Sequence, residues 1–216
     1  KELFIGLSHR GNSKKFIENS YEAFNSVIQM GFKYIETDLR MTLDREVIAF
    51  HDPNLKRLFN LDLQVKDLTF NEISNLFREK NCSLLTLEDT LKKFPEIHFN
   101  IDLKVKEVIE ESIKVVADLD GFDRVCFASF YSSHTEKVLK QNKNAIVSMG
   151  MKDVALFKFF KFHNKKIKII QIPLKWKGIK VMTKNLIQKA NKSNLLVHAW
   201  TINDKKTINY LIDIGV

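Results

Sequence analysis

KYIETDLRMTLDREVIAFHD, residues 33–52, alternates side chains of opposite character along its first nine positions. Successive strand residues point to opposite faces, so a strand over residues 33–41 puts Ile35, Thr37 and Leu39 on one side and Tyr34, Glu36, Asp38 and Arg40 on the other. Two carboxylates then share a face. After Thr42 only a few residues, centred on Asp44 and Arg45, precede the apolar run at residues 47–50. A parallel crossover needs about a dozen residues or more, so the two runs must form a hairpin. Pairing about that turn is expected to bring His51 level with Asp38.

Upstream, residues 3–7 read as a strand, and Asn19 or Ser20 can cap a helix that runs to about Met30 and stops at Gly31. Downstream, residues 53–97 read as an excursion from the sheet, with helix starts at Thr69, whose partner Glu72 completes a capping box, and at Thr86 with Asp89. Strands are then predicted near residues 99–105, 124–130, 145–149, 167–173 and 195–202. Helices are predicted over 106–119, 132–142, 152–163, 183–193 and 204–213. This alternation is the pattern of an α/β domain built on a parallel sheet. Without the hairpin arm there are seven parallel strands, and a TIM (β/α)8-type barrel needs one more. The expectation is a single barrel domain over residues 1–216, with a β-hairpin and a helical insertion at about 53–97, whose closing strand lies beyond residue 216.

The 216 residues are 44% hydrophobic and 28% charged, the proportions of a globular domain rather than a disordered or fibrous chain. No apolar stretch approaches the ~18 residues of a membrane span, and the first residues lack the pattern of a secretory leader. Cys82 and Cys126 have neither CxxC nor framework spacing and read as reduced core thiols, which points to a cytoplasmic location. The net charge of +9 is uneven, since residues 1–120 hold 17 basic against 21 acidic side chains and residues 121–216 hold 18 against 5. Lys outnumbers Arg 29 to 6, and bidentate phosphate reading favours the guanidinium fork, so a nucleic-acid partner is not expected. Residues 137–192, with 15 Lys and Asp153 as their one acid, could steer an anionic substrate or make weak peripheral contact with an anionic membrane. The commoner role of such a run is a solvated face.

In a parallel barrel the carboxyl ends of the strands carry the chemistry. That rim would gather His9 and Arg10, Glu36 and Asp38, His51, Asp102 and Lys104, Ser129 and Phe130, and Trp200 and Asn203. A lone Glu-x-Asp on a strand is usually a solvated polar face. Here Asp102-x-Lys104 repeats the alternation on the next parallel strand, and three carboxylates on one rim repel unless a cation lies between them or their pKa values rise. All-oxygen donors suit one divalent cation, Mg²⁺ or Ca²⁺, better than zinc. His9 and His51 would flank the carboxylates as an acid and base pair, with Arg10 and Lys104 as fixed positive charges where an anionic transition state forms. A single His is more often structural, which is the reading for His98, His134, His163 and His198. Phe130, Trp176 and Trp200 are candidates for an apolar wall, although core packing is the usual fate of such aromatics.

These stretches also carry a resemblance. His9-Arg10-Gly11, Glu18-Asn19-Ser20 with Ala23-Phe24, Gly31 through Ile35-Glu36-Thr37-Asp38, Thr42-Leu43-Asp44, Val47 through His51-Asp52, Asn100-Ile101-Asp102-Leu103-Lys104, Ser129-Phe130 and Trp200-Thr201-Ile202-Asn203 occur in this order over nearly the whole chain. Together they resemble the glycerophosphodiester phosphodiesterase family. The resemblance implies hydrolysis of a small-molecule glycerophosphodiester to an alcohol and glycerol 3-phosphate, through a cyclic phosphate. It implies that Glu36, Asp38 and Asp102 hold one divalent metal, that His9 is the general base and His51 the general acid, and that Arg10 and Lys104 contact the phosphate. Two departures stand out: Asp102 replaces the family's usual Glu, one methylene longer, and Asp44-Arg45 replaces the usual Asp-Gly turn. The family's closing segment would begin at Gly215-Val216. Two other readings are a phospholipase-type lyase that stops at the cyclic phosphate, and a non-catalytic basic protein that binds an anionic surface.

Overall fold

The computed structural model describes residues 5–216. The first strand, β1 (Leu7–His9), starts later than the expected 3–7, of which Leu3 and Phe4 fall outside the described residues. His9 is therefore inside the strand, paired with Glu36 of β2 (Tyr34–Met41). Between them runs α1 (Tyr21–Gln29), where Ser20, not Asn19, is the cap: its hydroxyl accepts the Ala23 N–H at 3.1 Å. The helix buries Ala23, Phe24 and Val27 on one face, and Phe24 meets Phe94 and Phe99 edge-on. Burial of a Phe side chain contributes roughly 1.5–3 kcal/mol, which holds this helix against the sheet.

The hairpin forms, one residue out of the expected register. Leu39 pairs with Ala49 of β3 (Val47–Ala49), and the Phe50 N–H reaches the Asp38 carbonyl at 2.9 Å, so Phe50 and not His51 stands opposite Asp38. The cause is the length of the turn. Three residues, 43–45, are spanned by the Thr42 N–H bond to the Glu46 carbonyl, and Arg45 takes φ +65°, the left-handed position that a three-residue hairpin loop usually gives to Gly.

Residues 54–97 hold α2 (Lys56–Phe59), a 3-10 turn at Val65–Asp67, α3 (Phe70–Glu79) and α4 (Leu87–Lys93). The Thr69–Glu72 capping box forms as expected, and Thr86 accepts the Asp89 N–H at 2.9 Å. Leu55, Val65, Ile73 and Phe77 pack with Ile48 and Phe50 in a cluster of their own, whereas Leu87 and Leu91 of α4 pack into the main core.

The rest alternates: β4 (His98–Leu103), α5 (Val108–Asp118), β5 (Val125–Ala128), α6 (Ser132–Gln141), β6 (Ile146–Val147), α7 (Met151–Phe160) and β7 (Ile169–Pro173). There follow β8 (Lys175–Trp176), β9 (Ile179–Lys180), α8 (Lys184–Asn191), β10 (Leu196–Trp200) and α9 (Lys205–Asp213). The parallel order is β1-β2-β4-β5-β6, continued by a bridge from Ser148 to Ile169 of β7 and by the pairing of β7 with β10. These are the seven parallel strands of a TIM-type barrel, as the alternation predicts. Among the described residues no pairing joins β10 to β1. β8 and β9 form a small antiparallel hairpin that the sequence reading omits, turned by Lys177 and Gly178, both with positive φ. Two positive φ values in a row are the mark of a tight two-residue hairpin turn, and Lys-Gly supplies the one glycine needed.

Candidate active site

The parallel register places the rim. His9 aligns with Glu36 and Glu36 with Asn100, while Asp38 aligns with Asp102 and Asp102 with Ala128. A polar layer of His9, Glu36 and Asn100 therefore crosses β1, β2 and β4 at the carboxyl end of the sheet, with Asp38 and Asp102 paired in the next layer. The chain leaves β1 through Arg10, at φ +59°, and Gly11, at φ +75°. A Cβ on Gly11 would come within 2.6 Å of the Ala23 backbone, so only Gly lets this loop lie so close to α1.

Arg10 and Lys104 bracket one carboxylate. Asp38, fully buried, faces the Arg10 guanidinium (Nε to Oδ2, 2.9 Å) and the Lys104 ammonium (Nζ to Oδ1, 2.8 Å). The Asn19 side-chain amide also donates to Oδ2 at 3.1 Å, and its carbonyl accepts the Thr37 hydroxyl at 2.9 Å. Burial alone would push the Asp38 carboxyl up, but Lys104 and Arg10 outweigh it and hold the group below the usual carboxylate range. Its neighbours behave oppositely. Burial, then the charges of Asp38 and Asp102, raise the Glu36 carboxyl well above its ordinary value. Burial raises Asp102 too, although Lys104 donates to it at 2.5 Å.

The two histidines also differ. His9, from β1, lies with Nε2 3.7 Å from Glu36, and burial followed by the charge of Arg10 lowers its pKa to about 4. It is therefore a neutral ring at neutral pH. His51, just beyond β3, sets Nδ1 2.7 Å from Asp52. Asp52 is itself held by Arg57 of α2 at 2.6 Å, and Arg57 also grips Glu18, which in turn accepts from Arg10 at 3.1 Å. One chain of charged contacts thus runs from His51 to Asp38 and Lys104. Arg40, on the same face of β2 as Glu36 and Asp38, donates to the His51 carbonyl at 2.6 Å.

A cavity of about 210 Å³ opens beside these groups, lined by Arg40, Asp102, Lys104, Ser129, Phe130 and Tyr131. Phe130, which lines the cavity, lies 5.3 Å from Trp176 of β8, ring centre to ring centre. Trp200 ends β10 half-exposed and is not among the residues that line this cavity. The remaining histidines sit in packing or backbone contacts: His98 stacks on Tyr34, His134 reaches Ser129 and the Leu103 carbonyl, and His163 meets Phe157 edge-on. His198 is aligned with Gln171 of β7, its Nδ1 shielded from solvent. Both cysteines are free, and burial pushes the Cys126 thiol up to about 12.

The carboxylates meet one test for a hard cation. Glu36 Oε2 and Asp102 Oδ1 are shielded from solvent and accept no hydrogen bond, the condition of oxygens that a cation would satisfy. Asp38 Oδ1 is shielded likewise, but both Asp38 oxygens are in ion pairs with Arg10 and Lys104, and among the described residues no three acidic, His or Cys side chains converge on one point at metal-ligand distance. Lys104 holds the ground between Asp38 and Asp102.

Sequence reasoning passes over Glu18 and Asn19 as site residues, and Asp52, Arg57 and Arg40 with them. Asp52 adjoins His51 and Arg40 continues the Glu36-x-Asp38 alternation, so both were within reach of the pattern. Nothing in the sequence links Arg57 to Glu18.

A neutral imidazole, a second one oriented by a carboxylate, and fixed cations at the carboxyl rim place the chain among the barrel hydrolases of phosphate esters. A model of the glycerophosphoryl diester phosphodiesterase family matches residues 9–216, and the chain belongs to that family of enzymes. It is 26% identical over 223 residues to a probable glycerophosphodiester phosphodiesterase 2 of Mycobacterium tuberculosis, covering 98% of this chain and 84% of that protein. In three dimensions it is similar to a glycerophosphodiester phosphodiesterase from Thermotoga maritima (TM-score 0.79, 21% identity, 100% of this chain and 93% of the other). It is also similar to a phosphodiesterase from Oleispira antarctica solved with the product sn-glycerol-3-phosphate (TM-score 0.80, 17% identity, 99% and 91% covered). These likenesses bear out the TIM-barrel fold.

Proposed function

We propose that the enzyme hydrolyses a glycerophosphodiester in two half-reactions, with His9 and His51 exchanging the roles of base and acid. The observation that carries this reading is the unequal setting of the two rings. His9, neutral at physiological pH, can take a proton, and His51 is oriented through Nδ1 by Asp52, which leaves Nε2 for the substrate. In the first step His9 removes the proton of the glycerol hydroxyl next to the ester, that oxygen attacks phosphorus, and His51 protonates the departing alcohol. The product is a cyclic phosphate. In the second, His51 takes a proton from water, water opens the ring, and His9 returns its proton to the glycerol oxygen, which gives glycerol 3-phosphate.

Arg10 and Lys104 supply positive charge as negative charge gathers on the phosphoryl oxygens. Glu36 and Asp102 would hold one divalent cation, Mg²⁺ or Ca²⁺, joined by Asp38 on exchange of its Lys104 contact. When bound, such a cation neutralises a phosphoryl oxygen and lowers the pKa of a coordinated hydroxyl. Phe130 and Trp176 face the carbon atoms of the substrate. No helix among the described residues is long and apolar enough to cross a membrane.

The test is release of glycerol 3-phosphate from glycerophosphocholine and glycerophosphoethanolamine with Mg²⁺, with Ca²⁺ and with excess chelator. Release that needs one cation and stops with chelator is expected. Chelator-resistant release would overturn the role of Glu36 and Asp102, and accumulation of the cyclic phosphate alone would make the enzyme a lyase.

A further inference from the structure

The last turn of α7 and the residues after it carry three phenylalanines that the barrel does not use. Phe157 is buried in the main core, with His163 edge-on at 5.2 Å, and these two anchor the segment. Phe159, Phe160 and Phe162, by contrast, are 71%, 75% and 67% exposed. A Phe side chain covers roughly 150–250 Å², so the three, within four residues of one another, together expose about 400 Å² of apolar surface, the size at which such patches mark an interaction site.

Their surroundings specify the partner. Lys158 and Lys161 interleave with the aromatics, Lys165, Lys166 and Lys168 follow them, and residues 154–203 contain no Asp or Glu. The turn is firmly built: Lys189 of α8 donates to the Lys158 carbonyl at 2.7 Å, and the Lys161 N–H closes on the Phe157 carbonyl at 3.0 Å. A protruding aromatic cluster rimmed by lysines has the chemistry of an interfacial anchor, with rings entering the acyl boundary and ammonium groups at the headgroup level. A symmetric dimer through this patch would set one lysine-rimmed patch against another, because a two-fold contact uses the same surface on both copies.

We infer that Phe159, Phe160 and Phe162, with their lysine rim, dock the enzyme on an anionic lipid bilayer. The direction of α7 adds a consequence. The helix starts where β6 ends, at the rim that carries the site, and its 10 residues return about 15 Å toward the opposite end of the barrel. The docked enzyme therefore turns its mouth to the aqueous phase and takes a water-soluble diester.

Docking does not depend on the catalytic reading, and its test is independent. The folded protein is sedimented with vesicles of phosphatidylcholine alone and of phosphatidylcholine containing about one-third phosphatidylglycerol. Binding to the anionic vesicles is expected. It should fall at least tenfold in the Phe159→Ser/Phe160→Ser/Phe162→Ser variant and in Lys161→Glu/Lys165→Glu, with thermal stability retained because these side chains are exposed. Equal binding by wild type and the Phe variant, or none to either vesicle, would overturn the inference. So would a concentration-dependent dimer, abolished by the Phe variant, in place of vesicle binding.

Discussion

β1, β2, β3 and β4 put a linked network of charged groups at the mouth, from His51 through Asp52, Arg57, Glu18, Arg10 and Asp38 to Lys104 and Asp102. The residues just after β5, and β8, in the second half of the chain, contribute Ser129, Phe130 and Trp176, which are neutral or apolar. Net charge runs the other way, since the first part of the chain is slightly acidic and the second strongly basic. The difference teaches that summed charge does not locate chemistry. Fixed, paired charges at a rim can stabilise a transition state, whereas unpaired surface lysines act on the field around the molecule.

The largest effect expected is on the first half. His9→Ala and His51→Ala should each lower the rate of glycerol 3-phosphate release by about 10²–10⁴-fold. The comparison breaks if Phe130→Ala costs as much. A smaller loss is expected at Asn19, whose amide satisfies both Asp38 and Thr37. Asn19→Gly keeps the left-handed backbone of that residue, at φ +61°, yet strands the buried Thr37 hydroxyl and takes one donor from Asp38, a cost of about 1–3 kcal/mol. Melting curves should show a drop of several degrees, and Asn19→Ala should fall further. In the second half, Phe130→Ala and Trp176→Ala should raise KM by about 2- to 10-fold, as the loss of one aromatic contact of ~0.5–1.5 kcal/mol implies, with kcat little changed. A tenfold drop in kcat with KM intact would instead assign these rings to the chemistry. The smallest change belongs to Arg45→Gly, where relief of the left-handed φ is offset by the added freedom of Gly in the unfolded chain, so the midpoint should move by no more than about 2–4 °C.

The barrel was legible because its signal is local: apolar runs, caps and turns recur along the chain, and each element obeys its own period. The meeting of Asp38 with Asp102 and Lys104 was legible for the same reason, since parallel strands in register keep like faces together. The hairpin came out one residue off because its register depends on the turn, and nothing local announces that Arg45 will take the conformation usual for Gly. The carboxylates were read as three equal charges, yet Asp38 is bracketed by the cations of Arg10 and Lys104 and held below the usual range, while burial raises Glu36 and Asp102. Charge can be counted in a sequence, but the direction of a side chain cannot.

The grip of Glu18 on both Arg10 and Arg57 ties the loop after β1 to α2, a helix of 4 residues. That helix leans on a minor core through Leu55 and through Phe59, which lies against Phe77 at 5.4 Å. Small cooperative units open at lower free energy than the domain that carries them. Loosening this satellite would release Arg57 and then Asp52, and the His51 ring would lose its bearing while the barrel stayed intact. Catalytic competence would then disappear before the fold does on warming, and the midpoint of inactivation would report the satellite rather than the barrel.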